Sequence, residues 1–128
     1  QLGMVERMAH NYDKALAYFD KEYEWLKEIE ENKQLMLAAN YYEKGYIHFL
    51  KKDYEVAERF MGKSLDHAKA SEDKVALGCA YRGLGEIHQA TGRKKSADRF
   101  FERAIQCFKE VGDKHAVAEI EMVRKMKS

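Results

Sequence analysis

Proline is absent from this chain of 128 residues, and it holds only two cysteines and one tryptophan. Without proline there is no proline-rich linker, and many-stranded β folds that mark their turns with proline are disfavoured. Cys79 and Cys107 are too few for a disulfide scaffold and fit a reducing compartment. An excess of charge is also missing: 23 Lys and Arg stand against 22 Asp and Glu, a formal net charge of +1. That balance excludes a strongly basic nucleic-acid binder and an acidic tail. No apolar run approaches the roughly 18 residues that a membrane-spanning helix needs. Gln1-Leu2-Gly3-Met4 has no basic stretch leading into an apolar one, and no initiator Met precedes it. The expectation is a fragment of a longer, cytoplasmic protein without a secretory leader. What the chain does have is 45% hydrophobic residues, enough for one core at this length, and 35% charged residues.

An internal repeat organises the chain. Leu84-Gly85-Glu86-Ile87-His88 is followed by Thr91-Gly92-Arg93-Lys94-Lys95-Ser96-Ala97. Forty residues earlier stands Lys44-Gly45-Tyr46-Ile47-His48, followed by Lys51-Lys52-Asp53-Tyr54-Glu55-Val56-Ala57. Leu2-Gly3-Met4 and Asn11-Tyr12-Asp13-Lys14-Ala15 give a third copy at the start. Each glycine leads its alanine by twelve residues, and four residues past each alanine sits a large apolar residue: Phe19, Met61 and Phe101. Asp73-Lys74 and Asp113-Lys114 recur at the same 40-residue period.

Each unit reads as two helices. Leu37, Tyr41, Lys44, Gly45 and His48 recur at spacings of three and four, as do Leu77, Tyr81, Leu84, Gly85 and His88. Asp53 stands where an N-cap belongs, before a helix over 54–70. Thr91-Gly92 ends the helix before it, with glycine supplying the left-handed conformation. A partner helix is predicted over 94–110 and a last one over 114–126. Gly45 and Gly85 each cost about 1 kcal/mol inside a helix relative to Ala. Their recurrence implies a close helix approach, with Ala57 and Ala97 facing them and Phe19, Met61 and Phe101 filling the space between successive pairs.

These residues carry a resemblance to the tetratricopeptide repeat. The third unit matches best, through Tyr81, Leu84, Gly85, Gly92, Ala97, Phe101 and Ala104. The second matches through Tyr41, Gly45, Asp53-Tyr54, Ala57 and Met61, with Ser64 for the last small residue. The first matches through Leu2, Gly3, Asn11-Tyr12, Ala15 and Phe19, with Glu22 in that place. The period of 40 to 42 exceeds the family's usual length of about 34, which fits longer helices and a long-repeat branch. The resemblance implies an all-α, right-handed solenoid of antiparallel helix hairpins. The single domain, 1–128, divides into repeats over about 1–32, 33–72 and 73–112, with a capping helix over 113–128.

The first helix of each pair lines the concave side of such an array, and the resemblance makes that side the ligand groove. On it, Tyr42, Tyr46 and Phe49 supply aromatic anchors, and Arg82, Glu86 and Gln89 hold the equivalent places one unit later. Met4 and Arg7 do so one unit earlier. This mixture suits a peptide of a protein partner; the competing reading is that the aromatics pack on neighbouring helices. The Lys and Asn clamp that one subgroup of the family uses for a terminal carboxylate is absent. His48 and His88 are repeat equivalents and read as structural, since residues on stacked helices about 10 Å apart cannot share one ion unaided. Cys79 and Cys107 could approach one another, but two small buried side chains are the plainer reading. No G-x-S-x-G, H-E-x-x-H, phosphate-loop or EF-hand pattern occurs, so no catalytic residue, cofactor or metal is expected.

Charge is uneven along the chain. Residues 1–32 hold 4 basic and 8 acidic residues, and residues 93–128 hold 10 basic and 6 acidic. Arg93-Lys94-Lys95 with Arg99 and Arg103 gives the third unit's second helix a basic face. Without interleaved exposed aromatics, a solvated face is expected there rather than a nucleic-acid site. The functional expectation is a non-enzymatic protein-interaction scaffold; the alternative is a sensory repeat segment of a larger signalling or transcription regulator. Leu2, Met4, Val5 and Met8 in a short first helix, with the opposite charges of the two ends, lead to an expectation of weak self-association through a terminal face.

Overall fold

The computed structural model describes residues 11–27 and 33–126. The described residues form six helices and no strand: α1 Tyr12–Leu26, α2 Lys33–Leu50, α3 Tyr54–Ser71, α4 Lys74–Ala90, α5 Lys94–Glu110 and α6 Lys114–Lys125. The first helix expected from the sequence, with Leu2, Gly3, Met4, Val5, Arg7 and Met8, lies outside the described residues. Short turns set successive helices antiparallel. The closest packing is within the pairs α2–α3 and α4–α5; contacts of α4 with both α3 and α2 join one hairpin to the next. The result is the all-α solenoid of hairpins expected from the sequence.

The repeated landmarks have local physical roles. Asp73 accepts a hydrogen bond from the Ala76 amide at 2.9 Å and Asp113 one from Ala116 at 3.0 Å, so the recurring Asp-Lys pair is a recurring N-cap. Asp53 occupies the N-cap position of α3 but makes no side-chain capping bond. Its carboxylate lies 3.6 Å from His48 Nδ1 instead. Gly92 and Gly112 follow α4 and α5 at φ 79° and 75°, whereas Lys52 and Glu72 hold the equivalent places after α2 and α3 at φ 65° and 60°. A non-glycine residue held there is strained by about 1–2 kcal/mol. Bonds from Asp53 N to His48 O at 2.9 Å, Arg93 N to His88 O at 2.8 Å and Asp113 N to Phe108 O at 2.9 Å close these turns alike.

At the glycines of α2 and α4 a side chain would collide with a neighbouring helix. A Cβ built on Gly45 would stand 3.2 Å from Met61 Cε, and one on Gly83 would stand 2.5 Å from the same atom. Met61, fully buried, is therefore wedged between α2 of one hairpin and α4 of the next. At Gly85 the nearest neighbour is the Phe101 ring at 2.7 Å, not Ala97 as the repeat suggested.

Polar ties join α1 to the array. Asn40, wholly buried, donates through Nδ2 to the Phe19 carbonyl at 2.8 Å and to Glu22 Oε1 at 2.9 Å. Lys44 Nζ lies 4.8 Å from the centre of the Tyr23 ring and 5.2 Å from those of Tyr41 and Phe60, with Asp20 Oδ1 at 3.4 Å. The lysine that fell on the apolar stripe of α2 is thus held in an aromatic cage, and that offsets the cost of burying its charge.

Two glycine substitutions test this packing in opposite directions. Gly62 lies inside α3 with nothing within 4 Å of a built Cβ, so Gly62→Ala is expected to raise the unfolding free energy by up to about 1 kcal/mol. Gly85→Ala gains the same propensity but overpacks the buried Phe101 ring, which costs about 1–3 kcal/mol, and net destabilisation is expected. Urea unfolding of both variants reads the signs; a stabilised Gly85→Ala contradicts the close approach.

Candidate functional site

α2, α4 and α6 lie side by side, each presenting a stripe at spacings of four and three. On α2 it runs Leu35, Ala39, Tyr42, Tyr46, Phe49. On α4 the equivalent places hold Val75, Cys79, Arg82, Glu86, Gln89, and on α6 His115, Glu119 and Met122, with Met126 at its end. Between the first halves of α2 and α4 the surface opens into a cleft of about 410 Å³. Leu35, Ala39 and Tyr42 form one wall, Val75, Ala76 and Cys79 the other, and Ser64 of α3 also lines it. Leu35 and Val75 at its rim leave 38% and 48% of their surface in solvent.

Below the cleft the aromatic stripe continues as a stack. Tyr42 and Tyr46 lie with ring centres 6.1 Å apart, and Tyr46 and Phe49 with centres 6.0 Å apart. Tyr42 and Phe49 also pack against the core while remaining partly exposed, so the aromatics both join the core and face outward. Of the three, Tyr42 lines the cleft. Burial pushes its hydroxyl well above the ordinary tyrosine range, with Cys79 and Glu86 nearby adding to the shift, so it stays protonated.

The polar residues of α4 are engaged by α6. Arg82 Nε donates to Glu86 at 3.0 Å, and its Nη1 donates to Glu119 at 3.0 Å. Gln89 Nε2 donates to the carbonyls of Val123 at 3.1 Å and Met126 at 3.2 Å, capping the end of α6. Burial raises the Glu86 carboxyl, against the pull of Arg82. Arg82 and Glu86 lie near Tyr42, whereas Gln89 works on the far side, holding α6 in place. On α6, Met122 and Met126 stay 71% and 65% exposed.

Leu35, Ala39 and Val75 were not among the residues singled out from the sequence. A signal was there: Leu35 and Val75 stand forty residues apart, and both continue the stripe of Tyr42 and Arg82 toward the helix starts. Cys79 and Cys107 are free thiols, each raised above its usual pKa by burial, which keeps both protonated. No group of three metal-ligating side chains occurs among the described residues. No helix among them is long and apolar enough to cross a membrane.

One polar cluster superficially resembles a nucleophile triad. His88 lies with Nδ1 2.6 Å from Ser96 Oγ and Nε2 3.1 Å from Glu58 Oε2. Glu58, however, accepts both guanidinium nitrogens of Arg93, at 3.2 and 2.8 Å. That pairing neutralises the carboxylate that would make the imidazole a stronger base, and burial lowers the His88 pKa further. The cluster works as a clamp from α3 across α4 to the start of α5. It also removes Arg93 from the free basic face expected from the sequence.

Stacked hairpins with a cleft between their first helices define a helical-repeat protein. The tetratricopeptide repeat family model matches residues 1–70 and 36–110, and the chain belongs to that family. Such repeats generally mediate protein–protein interaction. No curated protein matches the chain.

A pH dependence follows from three histidines that are buried or partly buried. His48, His67 and His88 all have pKa values lowered, in each case chiefly by burial. A lowered folded-state value means that protons bind the unfolded chain first. The associated stability is present above the unfolded value of about 6.5 and is lost as pH falls through the folded values. Thermal unfolding midpoints are expected to drop from pH 7.5 toward pH 5, and His88→Gln, which keeps hydrogen-bonding atoms but cannot titrate, to flatten that drop. A midpoint that is level between these values contradicts the assignment.

Proposed function

We propose that the chain is a non-enzymatic scaffold that seats a segment of a protein partner on the face formed by α2, α4 and α6. The observation that carries this reading is the apolar cleft between α2 and α4, flanked by exposed Leu35 and Val75. Such a cleft accepts one or two large apolar side chains, which are the usual anchors of a peptide. Tyr42, Tyr46 and Phe49 extend apolar contact along α2. Arg82 and Glu86 present a polar centre, and Gln89 positions α6. Met122 and Met126 offer flexible apolar contact on the far side. An amphipathic segment lying across the three helices meets apolar, polar and apolar surface in turn. The free thiols suit a reducing cytoplasm.

Peptides selected from a random displayed library against the wild-type chain test this reading. Val75→Asp places a charge at the cleft rim without disturbing the core, since Val75 is half exposed. It is expected to weaken the selected peptides about tenfold or more, as one well-seated apolar anchor is worth about 2 kcal/mol. Tyr46→Ala is expected to weaken them less. Affinities that do not change in either variant remove this face from the account.

A further inference from the structure

The arginines among the described residues divide into two groups. Arg82, Arg93 and Arg124 hold carboxylates at 3.0, 2.8 and 2.7 Å. Arg59 on α3 and Arg99 and Arg103 on α5 hold none, and neither do Lys63 on α3 and Lys95 on α5; all five are exposed. Arg59 and Lys63 are the repeat equivalents of Arg99 and Arg103, so the unpaired cations form a two-rung pattern across the second helices of two hairpins. Each rung is braced in the same way. Lys63 Nζ lies 5.5 Å from the Tyr41 ring centre, and the Arg103 guanidinium lies 5.8 Å from that of Tyr81, its repeat equivalent. The nearby carboxylates Asp98 and Glu102 are turned to Arg124 on α6; on α3 the place of Lys95 is held by Glu55, so the positive charge is concentrated on the α5 side of the stripe.

From this pattern we propose that the outer face of α3 and α5, built by Arg59, Lys63, Lys95, Arg99 and Arg103, docks an acidic helical segment of a partner protein. The face is separate from the α2–α4 cleft. Its cations repel one another in the free chain, and an anionic partner relieves that repulsion. The rings beneath Lys63 and Arg103 restrain both side chains before binding, which lowers the entropy lost on docking. Lys95, Arg99 and Arg103 stand four residues apart, about 6 Å per step along the helix. Carboxylates three or four residues apart on a facing helix have a spacing of about 5–6 Å. A nucleic acid fits less well. Tyr41 and Tyr81, the rings beneath the stripe, are buried, and Phe60 and Phe100, next in sequence to Arg59 and Arg99, lie half-buried against His48 and His88, so none offers an open face to a base. Duplex binding at physiological salt also draws on more phosphate contacts, about 6–10.

The test uses a fluorescein-labelled peptide of about twenty residues with Glu at every fourth position and Ala between, followed by anisotropy against the whole chain. Binding is expected at ~50 mM salt and is expected to weaken steeply as salt rises. Arg99→Glu with Arg103→Glu is expected to lower the affinity about tenfold or more. Lys69→Glu with Lys114→Glu changes the net charge equally, away from the stripe, and is expected to retain binding. Far-UV circular dichroism confirms that both double variants keep their helices. No binding at ~50 mM salt overturns the proposal. Equal losses in the two double variants also overturn it, as does tighter binding of a single-stranded oligonucleotide than of the peptide.

Discussion

Met61 between two glycines is the contact on which the rest of the array depends. Its terminal methyl fills the space that a Cβ on Gly45 or on Gly83 would need, so α2 and α4 approach it from two successive hairpins. A side chain at Gly45 would push α2 away from α3 within the hairpin, and one at Gly83 would push the next hairpin away. Phe101 plays the same part against Gly85 within the following hairpin. Because α2 and α4 are held at this distance in their middle, their first halves leave the cleft lined by Leu35, Ala39 and Val75. The glycines cost helix propensity, about 1 kcal/mol each. The burial they permit is larger: removing a buried Met or Phe side chain from a core costs about 2–5 kcal/mol.

Where small residues give way to polar ones, the array changes how it is joined rather than whether it is joined. At the place of Ala104, which is fully buried, the earlier hairpins carry Ser64 and Glu22. Ser64 donates to the Ala38 carbonyl at 2.7 Å, and Glu22 accepts from Asn40 at 2.9 Å. These hydrogen bonds hold one register, since their donors and acceptors would be left unpaired if the helices slid. The Glu58–Arg93–His88 clamp does the same between α3 and the α4–α5 turn. Apolar wedges thus set the distance between hairpins, and polar pairs set their register.

Much of this architecture was legible in the chain. The twelve-residue lead of Gly45 over Ala57 and of Gly85 over Ala97, and the large residue four places on, mark a packed hairpin. Longer-range relations were less visible. The side chain facing Gly85 is Phe101 rather than Ala97, because direction along a helix decides contact and sequence spacing does not show it. Asp53 has the right type and place for a cap, yet its carboxylate turns to His48. Lys44 on an apolar stripe made sense only once Tyr23, Tyr41 and Phe60 were seen to surround it. The candidate site was half visible. Tyr42, Arg82 and Glu86 do come near one another, but the cleft runs from Tyr42 two turns further toward the helix starts, where Leu35 and Val75 look like ordinary surface residues until a cavity appears beside them. Basic residues near Arg93 read alike in sequence; only geometry separates Arg93 and Arg124, which are paired, from Arg99 and Arg103, which are not.

The claim that the face of α2, α4 and α6 is the seat of a protein partner is tested most directly by amide shift mapping with a library-selected peptide on the isotope-labelled chain. The account predicts that the amides of Leu35, Ala39, Tyr42, Val75, Cys79 and Arg82 move most, with smaller changes at Met122. Shifts confined to the outer face of α3 and α5, or spread evenly over all six helices, contradict it.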